Sequence, residues 1–363
     1  MPQFRVIDSG VREGRMQIAF DQALIDLHHE GSVPDTVRFL RFPPTVLIGR
    51  HQAISQEVKL DHVRANGIGL VRRITGGGAI YLDEGQLGWE LVFKRSHLPL
   101  GSLADYTAQI CSAVASGLSD VFGIEARFRP RNDIEVDGRK LCGTGGFFDG
   151  DTLIYQGTVL IDMNPQAMVA CLNVPEAKLK KRELDSAANR VTTLKQILGS
   201  APPLRVVQAA VLEGLRGALG ITTTDAPITE QELIRAEQVF AEEIGLDSFV
   251  HEIDRPEAAD VHSGQQTAPG GTVTAYARLE GPGRGDRIRE VLFTGDFFIT
   301  PPRLIFDLEA ALRGTPASEA PSATLEFFAR HKPEMLSLKP DDFAAALQAA
   351  LGIEGARAAP AGA

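Results

Sequence analysis

Two short runs in this chain have the residue types for chemistry on an anion. The denser is Arg72-Arg73-Ile74-Thr75-Gly76-Gly77-Gly78-Ala79. Three glycines after a strand let the backbone approach a ligand closely and take positive φ. Their free N–H groups can cradle an anion. The two arginines supply planar, permanently charged donors for phosphate or carboxylate. A glycine-rich surface turn with solvated arginines is the alternative for the same residues. The usual nucleotide fingerprints, GxxxxGKS/T and GxGxxG, are absent.

The second run is Asn132-Asp133-Ile134 followed by Asp137-Gly138-Arg139-Lys140-Leu141-Cys142-Gly143. A tight turn at Asp137-Gly138 puts Lys140 on the returning strand, near Asn132 and Asp133. Carboxylate, amide and ammonium then converge, which suits a magnesium nucleotide, with Asp133 for the metal and Lys140 for phosphate. A solvated hairpin with a cross-strand ion pair is the alternative. Two weaker signals are Gln156-Gly157-Thr158 and Asn189-Arg190-Val191-Thr192-Thr193-Leu194. The basic residues Lys178, Lys180, Lys181 and Arg182 suit a solvated helix end or a patch for an acidic partner.

The elements that must hold these residues mix helices and strands. Apolar residues at helical spacing predict helices over 15–30 and 106–122, the latter stopped by Gly123. Strands are expected over 36–42, 45–48, 70–74 and 152–161. Residues 79–82 and 87–93 read as a hairpin around Asp83-Glu84-Gly85-Gln86, and 132–141 as a second hairpin. Short helices are expected at 58–66 and 165–172, longer ones at 204–219 and 230–244, and a polar break at 222–227. Pro, Gly, His and Gln mark 255–271 as a linker. A smaller pattern follows, with strands at 272–279 and 288–294, helices at 302–312, 324–332 and 340–351, and a frayed tail at 355–363. No internal repeat is visible. Without regular βαβ alternation the class is α+β: a catalytic domain over 1–254, a linker over 255–271 and a small α+β domain over 272–354.

Composition narrows the function. With 363 residues, 44% hydrophobic and 23% charged, the chain can bury a sizeable core. A net charge of -10 disfavours generic nucleic-acid binding. The sequence shows neither an apolar run long enough for a membrane span nor a secretory pattern at its start, so a cytoplasmic enzyme without membrane contact is expected. Cys111, Cys142 and Cys171 are odd in number and widely spaced, which fits a reducing compartment and no disulfide framework.

Together, and in this order, Arg73-x-x-Gly-Gly-Gly-Ala, Asn-Asp-Ile with Gly-Arg-Lys-x-x-Gly, Gly-Thr and Arg-Val-Thr-x-Leu resemble lipoate–protein ligases. Leu47-Ile48-Gly49-Arg50-His51-Gln52 resembles the family's Val-Ile-Gly-Arg segment. Gly270-Gly271-Thr272-Val273 and Phe293-Thr294-Gly295-Asp296-Phe297-Phe298 resemble its small accessory domain. The resemblance implies a mixed-sheet biotin/lipoate ligase-like fold and a two-step reaction. Lipoate attacks the α-phosphate of ATP to give lipoyl-AMP, and a lysine of a lipoyl carrier domain then takes the acyl group. It implies Lys140 as the catalytic residue. Arg72, Arg73, Gly76, Gly77, Gly78, Ala79, Ile80, Tyr81, Asn132, Asp133, Gly143, Gly157 and Thr158 would bind lipoate or adenylate, with Asp133 also on Mg²⁺.

The chain departs from the family where histidines are usual. Leu82-Asp83 replaces His-Asp, Gly85-Gln86 replaces Gly-Asn, and Tyr155-Gln156 replaces a histidine pair before Gly157-Thr158. These departures point to a specialised branch, such as one serving an H-protein-like lipoate-binding carrier. Two alternatives stay open: a lipoyl or octanoyl transferase using Cys142 or Cys171 and no ATP, and a non-catalytic lipoate-binding module.

Overall fold

The computed structural model describes residues 1–173, 190–282, 286–336 and 338–353. The basic run at 178–182, Asn189 and the tail at 355–363 lie outside the described residues. The chain divides into two compact units, Met1–Asp254 and Arg255–Ala363.

The first unit is built on an eight-stranded sheet. Its strands are β1 (Gln3–Val11), β2 (Thr36–Arg41), β6 (Gln86–Lys94), β7 (Arg127–Arg129), β8 (Asp133–Val136), β9 (Arg139–Asp149), β10 (Thr152–Leu160) and β11 (Thr222–Asp225), in the order β11-β1-β2-β6-β10-β9-β8-β7. Pairing is parallel from β11 through β1 to β2 and antiparallel beyond. A second sheet holds β3 (Thr45–Ile48), β4 (Gly69–Arg72) and β5 (Ile80–Leu82), in the order β4-β3-β5.

Helix α1 (Gly14–His29) crosses from β1 to β2, and Glu13 caps it by accepting from Arg15 N and Met16 N. Its apolar stripe of Ile18, Phe20, Leu24 and Ile25 forms one core with Leu47, Val71 and Leu82 of the small sheet and Phe147 and Ile154 of the large one. Helices α2 (Ile54–Glu57), α3 (Leu60–Ala65) and α5 (Pro165–Cys171) bury the other face of the small sheet. The far side of the large sheet carries α4 (Leu103–Phe122), opened by a Ser102–Asp105 capping box and closed by Gly123 in the left-handed region. Helices α6 (Leu194–Leu198), α7 (Leu204–Leu219), α8 (Glu230–Val239) and α9 (Asp247–Val250) complete the unit.

Three expectations change here. The residues expected as a polar break hold β11, because Thr222, Thr223 and Thr224 are β-branched and lie on a solvent-facing edge, where polarity carries no cost. Strands β5 and β6 do not form a hairpin: β5 pairs with β3, and β6 lies between β2 and β10. The intervening turn instead docks on the chain just past β10, with Gly85 O accepting from Ile161 N at 3.1 Å and Asp162 N at 2.8 Å. The stretch expected as a linker also contains a strand of the second unit, β12 (His262–Ala268), which pairs with β13 from His262↔Ala277 to Ala268↔Gly271. Its polar residues sit on an edge strand.

The second unit packs a three-stranded antiparallel sheet, β12, β13 (Gly271–Glu280) and β14 (Arg287–Gly295), against α10 (Leu304–Leu312), α11 (Ala320–His331) and α12 (Pro340–Ala350). A short pair, β15 (Ile299–Thr300) and β16 (Glu334–Met335), lies beside it. Phe343 centres the core, with ring centroids 4.9 Å from Phe297 and 5.2 Å from Phe328.

Candidate active site

Adjacent residues on a strand point to opposite faces, so Arg72 and Arg73 at the end of β4 are separated at once. Arg73 turns into the glycine loop. Its Nη2 donates to Gly76 O at 2.6 Å and Gly78 O at 2.8 Å, and its Nη1 donates to Leu47 O at 3.3 Å. In a trans peptide the C=O and the following N–H point in opposite directions. With the Gly76 and Gly78 carbonyls drawn to Arg73, the N–H groups of Gly77 and Ala79 point away from it. Neither has a hydrogen-bond partner among the described residues. Gly77 takes φ +90, and Gly49 lies so close that a Cβ there would be 1.9 Å from Gly77 O. The loop is thus a fixed array of outward amide donors backed by a buried cation. Burial pulls the Arg73 guanidinium down to about 10, which leaves it charged at neutral pH.

Arg72 does different work. Six backbone carbonyls converge on its guanidinium: Gly49, Arg50 and Gln52 from the β3–α2 turn, and Phe249, Val250 and Ile253 from the end of the first unit. It clamps two chain segments together and is not directed at a ligand, which corrects its expected binding role. Strand alternation also splits Ala79, Ile80 and Tyr81. Ile80 packs toward the α1 core, whereas Ala79 and Tyr81 join Val46, Ile48, Val58 and Cys171 on the opposite face, so the three do not line one channel.

The hairpin β8–β9 turns at Asp137 and Gly138, with φ of 51 and 74, the conformation an Asp-Gly hairpin turn requires. The register shifts between Ile134 and Glu135. Strict alternation would put Lys140 and Gly143 on opposite faces, and this bulge brings them to the same one. Lys140 Nζ lies 2.8 Å from Asp133 Oδ1, with side chains 33% and 18% exposed. A Cβ on Gly143 would meet Lys140 Nζ at 2.5 Å, so the glycine is the space the lysine occupies. Burial alone would raise the Asp133 carboxyl, but Lys140 and Arg129 outweigh it and hold the group below the usual carboxylate range. Lys140 is also fixed through its backbone: its N donates to Arg190 O and its O accepts from Thr192 N, both at 2.8 Å. Thr158, opposite Gly143 on β10, shares the Lys140 face. Gly157 serves packing, since a Cβ there would be 2.2 Å from the Trp89 ring.

Asp133, expected to hold a metal ion, is engaged here by two cations. One carboxylate oxygen pairs with Lys140 and the other with Arg129. Among the described residues no group of three His, Cys, Asp or Glu could hold a metal ion. The Asn132 side chain is likewise committed within the protein, its amide donating to Thr144 O. Arg129 and Thr144 are parts of the site that residue types had not flagged, while the Arg190–Thr192 segment had shown only a weak signal. Val-Thr after an arginine was the only sequence signal for the last of them.

The positions of the family histidines have other uses. Gln156 donates to Asp21 Oδ2 at 2.6 Å and Glu90 Oε2 at 2.8 Å, and Arg38 binds both carboxylates from the other side. Burial and then Glu90 push the Asp21 carboxyl well above its usual range. Leu82 is buried in the α1 core.

The thiols are sealed. Cys111, Cys142 and Cys171 are all buried and free of disulfides. Burial pushes Cys111 up to about 11, and it raises Cys142 and Cys171 as well. A nucleophilic cysteine needs the reverse, an accessible site that favours thiolate.

Comparison with known proteins agrees with this architecture. The lipoyl protein ligase A/B catalytic domain model matches residues 13–216, and the chain belongs to that family. The octanoyltransferase LipM of Symbiobacterium thermophilum is 29% identical over 269 residues, covering 68% of this chain and 97% of that protein. The bipartite lipoate–protein ligase of Thermoplasma acidophilum, described with its E2 lipoyl domain, superposes with a TM-score of 0.62 at 24% identity, covering 71% of this chain and all of that one. A lipoate–protein ligase A bound with ATP gives a TM-score of 0.60 at 24% identity, covering 69% and 98%. LipL1 of P. falciparum, in complex with lipoate, gives 0.71 at 17% identity, covering 90% and 94%. The fold is therefore the mixed α+β fold of the lipoate ligases. Among the described residues no helix is long and apolar enough to cross a membrane.

Proposed function

We propose that this chain is an ATP-dependent ligase that makes lipoyl-AMP and passes the lipoyl group to a lysine of a lipoyl carrier domain. The observation that carries the reading is the pairing of sealed thiols with a glycine loop whose carbonyls are held by a buried Arg73 and whose Gly77 and Ala79 amides have no partner among the described residues. No cysteine is placed to form an acyl-enzyme, while the Gly77 and Ala79 amides and the Lys140 ammonium suit a mixed anhydride of carboxylate and phosphate. In the first step the lipoate oxygen forms a bond to the α-phosphorus and the bond to pyrophosphate breaks. Negative charge on the phosphate is met by the preorganised amides and by Lys140. Asp133 and Gly143 hold the lysine in place. In the second step the carrier amine attacks the acyl carbonyl and AMP leaves, with Lys140 beside the developing oxyanion.

Chain length supports the same reading. LipM is matched along 97% of its length by 68% of this chain, so a second unit is additional here. The match to LipL1 spans 90% of this chain, more than the first unit alone supplies. We read the second unit as the accessory domain of a ligase. The names of the LipM relatives favour a second reading, octanoyl transfer without ATP. Pyrophosphate release separates the two. Lipoate plus ATP should yield pyrophosphate and, with a carrier domain present, lipoylated lysine. Acyl transfer from an octanoyl carrier with no pyrophosphate formed would establish the transferase.

A further inference from the structure

The residue replacing the first of the family's paired histidines leads to a buried chain of hydroxyls behind the site. Tyr155 is fully buried on the α4 side of the large sheet, the face opposite Lys140. Its hydroxyl lies 2.6 Å from Thr144 Oγ1. Thr144 Oγ1 spends its only proton on Asn132 O at 2.9 Å, so the Tyr155 hydroxyl donates and Thr144 accepts. Thr144 N donates to the same Asn132 oxygen at 2.9 Å, and the Asn132 amide returns a bond to Thr144 O. These three bonds clasp Asn132, just before β8, to Thr144 of β9. The clasp sits between Arg131, held at φ +99, where non-glycine residues are strained, and Asp133, the partner of Lys140. Cys111 of α4 closes the back, its Sγ 3.3 Å from Thr144 Oγ1 and 3.5 Å from the Tyr155 hydroxyl.

We propose that Tyr155 is a positioning residue for the acyl-activating step, acting through Thr144 and Asn132 to hold the strained entry of the hairpin and thereby set Asp133 against Lys140. This rests on the reading of Lys140 given above. The tyrosine stays a neutral donor, because burial and then Cys111 raise its pKa well above the usual phenol range. The substitution thus trades a histidine for a hydroxyl that works from behind the sheet without touching the ligand.

The test combines amide hydrogen exchange with kinetics on the full chain. Tyr155→Phe keeps the ring against Trp89 and removes only the hydroxyl; Thr144→Val breaks the clasp, and Thr144→Ser preserves it. Tyr155→Phe and Thr144→Val should speed exchange at residues 131–144 and leave α1 and the second unit unchanged. Pyrophosphate release should drop about tenfold in kcat with KM for ATP and lipoate held within about twofold, the scale of one lost hydrogen bond. Thr144→Ser should restore both readouts, and the double variant should be no worse than Thr144→Val alone. Unchanged exchange in the hairpin overturns the proposal, as does a loss in Tyr155→Phe that Thr144→Ser shares. If the wild-type chain releases no pyrophosphate, the ligase reading fails, and hairpin exchange together with the rate of acyl transfer from an octanoyl carrier still judges the relay.

Discussion

Alanine at Gly143 separates chemistry from folding in a single substitution. The added Cβ would stand 2.5 Å from Lys140 Nζ and 2.6 Å from Cε. Ordinary contact requires the ammonium to retreat by roughly 1 Å. That movement carries it off Asp133 and away from where the proposed reaction would place the phosphate. A displacement of that size in a reacting group costs about 10²-fold in rate. The backbone has no reason to object: Gly143 lies within β9, is not among the glycines with positive φ, and its clash is with the far end of a flexible side chain. Replacing glycine there lowers unfolded-state entropy, worth up to about 1 kcal/mol toward stability. The expected result is a rate of pyrophosphate release about 10²-fold below wild type with an unchanged or slightly higher Tm. Lys140→Ala sets the floor, about 10²–10³-fold down, and the Gly143→Ala/Lys140→Ala double variant should be no slower than that floor. Gly157→Ala is the control of opposite sign. Its Cβ would stand 2.2 Å from a buried Trp89 ring that cannot yield, so Tm should fall, at a cost of about 1–3 kcal/mol. Wild-type turnover in Gly143→Ala, or a fall in Tm matching that of Gly157→Ala, would refute the geometry assigned to Lys140.

Replacing Cys111, Cys142 and Cys171 together with serine should leave ATP-dependent lipoylation intact; a trapped acyl-thioester on wild type with activity lost in the triple variant would promote the transferase. Arg72→Met, which strips six carbonyls of their donor, should unfold the first unit at lower denaturant, by about 2–4 kcal/mol, while Arg72→Lys recovers only part because an ammonium cannot span both segments. The Asp133 carboxyl sits below its ordinary pKa of 3.8, so it contributes stability above that value and loses it as pH falls through the lower folded value. Chemical denaturation at stepped pH should therefore show Asp133→Asn less stable than wild type at pH 6, with the gap closing below about pH 4.

Sequence made some of this legible because the local physics is decisive. Asp137-Gly138 announced its turn, since few other pairs accept two positive φ values. The α4 helix was readable from its stripe and Gly123, though its start at Ser102 was not. What failed to show was anything set by a distant partner. Arg72 and Arg73 are the same residue type in adjacent positions, and nothing in their spacing says that one will meet carbonyls from Phe249 to Ile253 while the other meets Gly76. The bulge that brings Lys140 to the Gly143 face is equally silent, because alternation is the only rule a sequence offers for a strand. β11 hid for the converse reason, an edge strand needing no apolar pattern at all.

The division of charge at the site follows from where each cation is spent. Arg73 is buried, and in the proposed ligase a bare guanidinium touching the ligand would have to be desolvated and held in the open before a nucleotide bound. Placed behind the loop it is satisfied by Gly76 O and Gly78 O at all times. Each of those carbonyls belongs to a peptide unit whose N–H faces the other way, at Gly77 and Ala79. A hydrogen bond to one end of a peptide polarises it and strengthens the donor at the other. The cation therefore acts through two peptide units, as a fixed field on the anion side that requires no side chain to move. Lys140 is the complement: it is partly exposed and paired to Asp133, and in the proposed reaction it would exchange that partner for a phosphate or an acyl oxygen as charge develops. Under the ligase reading proposed above, a preorganised field and one adjustable charge are what an acyl phosphate would require, since it would have to be stabilised as it forms and released when a carrier amine attacks.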